Sequence, residues 1–172
     1  MISPPTLVMF AGLPGTGKST LALTLGKSLG WPVIDKDILN AVLLEANLAQ
    51  SQAGPLAYEL VLRLTKTFLV EQRQSMILDT AGRQPFIFER ARLIAQEAAA
   101  QLKVIHCTAP QSVRQARLAA RISGPSQWTS DQTTLEEEQA WFAHLPEQRL
   151  ILNSDQDIEH IVTEVLLFIQ GY

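Results

Sequence analysis

The chain has 172 residues, 47% of them hydrophobic and 18% charged, a length suited to one domain with a substantial core. The formal net charge of −3 excludes the strong field of a general nucleic-acid or membrane-surface binder, although a local basic groove is compatible with it. The single cysteine, Cys107, excludes an internal disulfide and points to a reducing cytoplasm.

In chain order, Thr6 to Ala11 is a short apolar run that suits a strand buried on both faces. A glycine-rich turn follows. Lys18 to Leu29 then carries apolar residues at Leu21, Ala22, Leu25 and Leu29, a helical spacing with Gly30 as its stop. Trp31 to Asp35 reads as a second strand and Asp37 to Ala49 as a helix, broken by the polar stretch Gln50 to Gly54. Leu56 to Gln74 reads as a long amphipathic helix, Met76 to Asp79 as a third strand and Phe86 to Gln101 as a helix. Leu102 to Thr108 is a fourth strand, Pro110 to Ile122 a helix, and the polar stretch from Ser123 to Thr134 a loop. Leu135 to Leu145, Arg149 to Leu152 and Asp155 to Gln170 complete the pattern as helix, strand and helix. Alternating strands and helices predict an α/β fold with a parallel sheet covered on both faces. Neither a repeat nor a linker interrupts residues 1–172, so one domain is expected. Met1 to Thr6 has no basic region ahead of an apolar stretch, and no apolar run approaches the roughly 20 residues of a membrane span.

Gly12 to Ser19 reads GLPGTGKS, a full match to G-x-x-x-x-G-K-[ST]. It lies between an expected strand and an expected helix, as a phosphate cradle must. Gly12, Gly15 and Gly17 let the backbone approach phosphate oxygens, with Leu13, Pro14 and Thr16 supplying further N–H groups or turn geometry. The helix that starts near Lys18 adds its dipole to the anion site. Lys18 is placed for the β- and γ-phosphates of ATP, Ser19 for Mg²⁺, and Thr20 as a further donor. A glycine-rich turn without a ligand is the plain structural alternative, and the completeness of the match argues against it.

Asp35 and Asp37 end the second strand, at the edge that faces the ligand crevice of an open parallel sheet. Asp37 is the candidate base that accepts a proton from an attacking hydroxyl; Asp35 is the candidate for the metal shell or the substrate. Helix capping by Asp37 would explain one aspartate but not two. Asp79 ends the third strand after an apolar run, as expected of a carboxylate that holds water on Mg²⁺. Asp79 to Gly82 also matches the D-x-x-G turn of GTP-binding switches. The chain has no N-K-x-D guanine signature, and 61 residues separate Lys18 from Asp79, more than a switch places there. Arg83, just past the strand, is a candidate substrate contact.

Arg117 and Arg121 are four apart on an expected helix, so they share a face. A loop over approximately residues 123–134 follows them and is the candidate lid. Two guanidiniums ahead of a closing loop fit charge neutralisation over a triphosphate. Arg114 reads as a surface residue, Glu136 to Glu138 as a solvated helix start, His106 as core, and Trp128 as a weak candidate for stacking on a base.

Together these residues resemble the P-loop kinase families that include gluconate kinase, shikimate kinase, chloramphenicol phosphotransferase-like proteins, zeta-toxin-type kinases and 5′-polynucleotide kinases, and within them the AAA-type predicted-kinase group. The resemblance implies a three-layer fold around a five-stranded parallel sheet of order 2-3-1-4-5. It carries family roles to Gly12–Ser19, Asp37 and the Arg117/Arg121 pair, and likens Thr129 to Asp131 to the segment after the lid. Gly82 departs from the family pattern. The expected function is ATP- and Mg²⁺-dependent phosphoryl transfer to a hydroxyl of a small-molecule or polynucleotide acceptor. A nucleotide-dependent switch without an acceptor is the alternative.

Overall fold

The computed structural model describes residues 4–121 and 132–171. The expected lid, including Trp128 and Thr129 to Asp131, therefore lies largely outside the described residues.

The first strand, β1 (Thr6–Ala11), is buried along its whole length. It pairs in parallel with β3 (Met76–Asp79) on one side and β4 (Gln101–Thr108) on the other. β2 (Val33–Asp35) lies outside β3, and β5 (Leu150–Asn153) outside β4. The sheet order is therefore 2-3-1-4-5, as the sequence predicts. Alternate residues of β1 feed opposite faces. Val8 and Phe10 pack with α1 (Lys18–Leu29) and α7 (Ile158–Gln170). Leu7 and Met9 pack with α3 (Gln50–Lys66) and α4 (Pro85–Glu97). Phe142 of α6 (Leu135–Phe142) closes a third cluster with Ala11 and Val104.

The helices differ from expectation where packing outweighs local signals. Gln50 to Gly54 does not break the chain: it forms the first turns of α3, with Pro55 inside the helix. Pro55 removes a donor, but Ala53, Ala57 and Val61 recur every four residues and are fully buried, so burial outweighs one missing hydrogen bond. At its other end α3 passes into a π-helical turn, Thr67–Glu71. Between β2 and α3, α2 (Lys36–Glu45) begins one residue earlier than expected, because Asp35 is its cap: the Asp35 carboxylate accepts from the Asp37 N–H at 2.7 Å. Asp37, for which capping is the plain alternative to a catalytic role, stands inside the first turn. After β4, α5 (Gln111–Ala119) stops short of Arg121.

Candidate nucleotide and acceptor site

The phosphate loop runs from the end of β1 into α1. Gly12 has φ +140°, and a Cβ there would meet the Cys107 carbonyl oxygen at 2.2 Å, so only glycine lets the loop lie this close to β4. The loop is braced internally at the Leu13 carbonyl, which accepts from the Thr16 hydroxyl at 2.8 Å and from Lys18 Nζ at 3.0 Å. Leu13 and Thr16 are fully buried, while Pro14, Gly15, Gly17, Lys18 and Ser19 remain partly open to the crevice and Thr20 is exposed. No side chain caps α1 at Gly17. Its first N–H groups thus face the loop, the arrangement that binds phosphate at a helix N-terminus.

Asp79 is 3% exposed, and the Ser19 side chain acts on its carboxyl to favour the charged form. Burial pushes its carboxyl up to about 6, against the opposing pull of Lys18. Asp35 is its register neighbour across β2 and β3, and burial also raises the Asp35 carboxyl, opposed by the cap bond from Asp37. The fold thus brings Ser19 and Asp79 together. A hydroxyl beside a buried carboxylate whose charge is under-compensated is a donor set that fits Mg²⁺, with phosphate and water completing the shell. Among the described residues, no group of three or more His, Cys, Asp or Glu is arranged to hold a metal by itself.

This geometry gives a signed pH expectation. The Asp79 carboxyl is raised in the folded chain above its ordinary 3.8. Between about pH 4 and 6 the folded state therefore holds a proton that the unfolded state has lost, and stability falls as pH rises through that window. Asp79→Asn is expected to flatten this slope and to raise metal-free stability at pH 7 by on the order of 2–3 kcal/mol. Denaturant unfolding of both proteins at several pH values checks it.

Asp37 stands at the outer rim. Its side chain is 48% exposed and pairs with Lys36 Nζ at 2.8 Å. The Lys36 ammonium lies 5.2 Å from the centre of the Tyr58 ring. Tyr58 stands edge-on to Phe86, their ring centres 5.4 Å apart. Burial raises the Tyr58 phenol, and Lys36, Asp37 and Arg83 all act on it electrostatically. The Arg83 guanidinium lies 3.5 Å over the Trp141 ring. Arg83 is thus tied to α6 through Trp141, a partner that sequence spacing does not reveal.

Arg117 reaches the phosphate loop. Its guanidinium donates to the Gly15 carbonyl at 3.4 Å, to Ser154 Oγ at 3.0 Å and to the Ser154 carbonyl at 2.9 Å. Ser154 follows β5, so Arg117 ties the β5–α7 loop to the cradle. Arg121 is exposed just beyond the α5 cap, Ala120, and does not extend the α5 face that carries Arg117. Arg114 is a correction: it is 4% exposed and donates to the Ala109 and Thr133 carbonyls. Glu138 is another: Glu136 and Glu137 are exposed, but Glu138 is buried, 3.7 Å from His106. His106 is in the core, as expected. Gly82 has φ +67°, and a Cβ would meet that of Ala11 at 2.6 Å. Close packing of the β3 loop on β1 therefore explains this glycine without a switch.

Residues 7–145 match the AAA domain family. An uncharacterised protein of Mycobacterium tuberculosis is 28% identical over 137 residues, covering 73% of this chain and 27% of the relative's length, so the chain spans about a quarter of that protein. Among solved structures, a kinase candidate from Chloroflexus aurantiacus superposes with a TM-score of 0.75 at 23% identity, covering 99% of each chain. The APS kinase of Mycobacterium tuberculosis, in complex with AMPPNP and APS, gives 0.64 at 21% identity, covering 99% of this chain and 100% of that one. A gluconokinase from Sinorhizobium meliloti gives 0.60 at 17%, covering 98% of each. The fold is that of the P-loop kinases, and the chain belongs to the AAA domain family.

Proposed function

We propose that this chain is an ATP- and Mg²⁺-dependent phosphotransferase, acting as one P-loop kinase domain, that moves the γ-phosphoryl group to a hydroxyl of a small-molecule or polynucleotide acceptor. One observation carries the reading. Lys36, Asp37 and Arg83 all act electrostatically on Tyr58, and Lys18 acts on both Asp35 and Asp79, so charged groups beside the phosphate loop extend beyond those a triphosphate alone would use. An acceptor would use such a charged rim; a switch has no need of one.

The loop N–H groups and the α1 N-terminus bind the triphosphate, and Lys18 moves from the Leu13 carbonyl to the β- and γ-oxygens. Ser19 and Asp79 are the residues that would hold Mg²⁺, and the ion would supply charge neutralisation at the phosphates. The acceptor oxygen attacks the γ-phosphorus as the bond to the β–γ bridging oxygen breaks. Asp37 takes the hydroxyl proton, with Lys36 orienting its carboxylate. Arg117 offsets charge at the loop, and Arg121 joins it from beyond α5. Asp35 holds the start of α2, and hence Asp37, in place.

Kinase neighbours of this fold, one of them bound to AMPPNP, support ATP as the donor. No helix among the described residues is long and apolar enough to cross a membrane, which is compatible with a cytoplasmic location. The switch reading is tested by competition. MgATP is expected to displace a fluorescent nucleotide at lower concentration than MgGTP, and ADP formation is expected to rise on adding an acceptor. Tighter MgGTP binding with hydrolysis indifferent to every acceptor would favour a switch.

A further inference from the structure

We infer that the cavity lined by β4, β5, α5 and α6 is a second binding site, for a small uncharged molecule that presents a hydrogen-bond donor beside an acceptor, such as a carboxamide or a pyrimidine base. The site is separate from the proposed transfer reaction and stands without it.

The cavity has a volume of about 660 Å³, within the range of sites that enclose small organic ligands. Among the described residues, its walls include His106 of β4, Arg114 of α5, Glu138 and Phe142 of α6, Ile151 of β5 and Arg149 just ahead of β5. Alternate strand residues face opposite sides of a sheet. Ile105, Cys107 and Leu152 pack on the face that α1 and α7 cover, so His106 and Ile151 face the other side. The cavity therefore lies across the sheet from α1, whose first N–H groups face the phosphate loop. It also lies at the β5 end of the strand order, with β1 between it and the β2 end that carries Asp35.

Buried polar atoms are nearly always hydrogen-bonded. Among the described residues, the buried side-chain atoms without a partner concentrate on this wall: both ring nitrogens of His106, Oε1 of Glu138 and Nε of Arg149. His106 and Glu138 are each 6% exposed. His106 Nε2 and Glu138 Oε1 stand 3.7 Å apart, too far for a direct hydrogen bond. The other Glu138 oxygen lies 3.9 Å from the Arg114 guanidinium. An imidazole carries at least one N–H in every charge state, and Arg149 Nε is a donor, so this wall lacks acceptors for its N–H groups. Glu138 Oε1 in turn lacks a donor. A carboxylate ligand would supply acceptors alone and oppose the Glu138 charge; an ammonium would supply donors alone. One amide edge supplies both. The His106 and Glu138 side chains end in broad torsions, so each can turn its unpartnered edge to the molecule. Phe142, its ring centre 4.5 Å from that of His106, and the 56% exposed Ile151 give apolar surface for a ring.

The test titrates the whole chain with benzamide and with uracil, and with benzoate and benzylamine as the charged counterparts of benzamide. The readout is the nitrogen resonances of the His106 ring, assigned with His106→Gln. Benzamide or uracil is expected to shift them saturably, at concentrations where benzoate and benzylamine do not, and equally in saturating MgATP. Glu138→Gln, which keeps the shape and replaces a charged acceptor by a neutral one, is expected to weaken binding about fivefold. Ile151→Trp, which adds bulk at an exposed wall and leaves the polar groups in place, is expected to weaken it at least about tenfold. Both variants are expected to bind MgATP as the parent does, which shows them folded. No saturable shift with either uncharged probe, with only ordered water in the cavity of crystals soaked in them, overturns the assignment. So does complete displacement of the probes by MgATP, stronger binding of benzoate or benzylamine, or parental affinity in a folded Ile151→Trp.

Discussion

Replacing Lys18 by alanine is expected to weaken MgATP binding by about 10²- to 10³-fold, roughly 3–4 kcal/mol, and to leave the fold in place. The ammonium is the cation of the cradle best placed to follow the β- and γ-phosphates. Its loss leaves little unsatisfied in the empty protein. The Leu13 carbonyl that it contacts at 3.0 Å keeps the Thr16 hydroxyl at 2.8 Å. Asp79 and Asp35 lose a nearby positive charge, and Asp79, already raised to about 6, takes up a proton more readily. The variant's binding should therefore be weak at every pH and weakest under acid conditions. Calorimetric titration with MgATP, together with circular dichroism, checks this. Parental affinity in a normally folded variant would mean that the loop does not hold a triphosphate.

Asp37→Asn is expected to lower phosphoryl transfer by about 10²-fold while MgATP affinity stays within a few-fold of the parent. A general base contributes roughly 10²- to 10⁴-fold, and a loose transition state asks for the lower end. The structure sharpens the test, because Asp37 is not the cap of α2. Asp35 is, through its bond from the Asp37 N–H, and the substitution leaves that bond untouched. What is lost is a half-exposed carboxylate that pairs with Lys36 and could accept a proton. Steady-state rates with a working acceptor decide it. Transfer at the parental rate would move the base to Asp35, whose half-buried carboxyl is raised and bonded to backbone.

The sheet was legible because each strand is a compact apolar run and each phosphate-binding residue lies in one contiguous segment. Gly12 to Ser19 needs no tertiary information to be recognised. The helix ends were less legible. Gln50 to Pro55 carries every local sign of a break, yet burial of Ala53 and Ala57 draws it into α3. The surroundings of Arg83 and Tyr58 were least legible. Tyr58, Phe86 and Trp141 belong to three helices, and no spacing in the chain brings them to Arg83; only the folding of α3, α4 and α6 onto one face of the sheet does so. Arg114 and Arg117 illustrate the same limit. Arg117 reads as a charge-neutralising arginine and Arg114 as a surface residue of the same helix, but Arg114 is buried against Ala109 and Thr133 and Arg117 ties the cradle to Ser154.

The most direct measurement follows the γ-phosphoryl group itself. The protein is incubated with Mg²⁺, ATP labelled with heavy oxygen in the γ-phosphoryl group, and a panel of sugars, sugar acids, nucleosides and oligonucleotides, and the products are read by mass spectrometry. The label is expected on a hydroxyl of an acceptor, with one ADP formed per labelled product and none of that product from Lys18→Ala. Label recovered only in inorganic phosphate, at a rate indifferent to every acceptor, would contradict phosphoryl transfer and leave a nucleotide-hydrolysing switch.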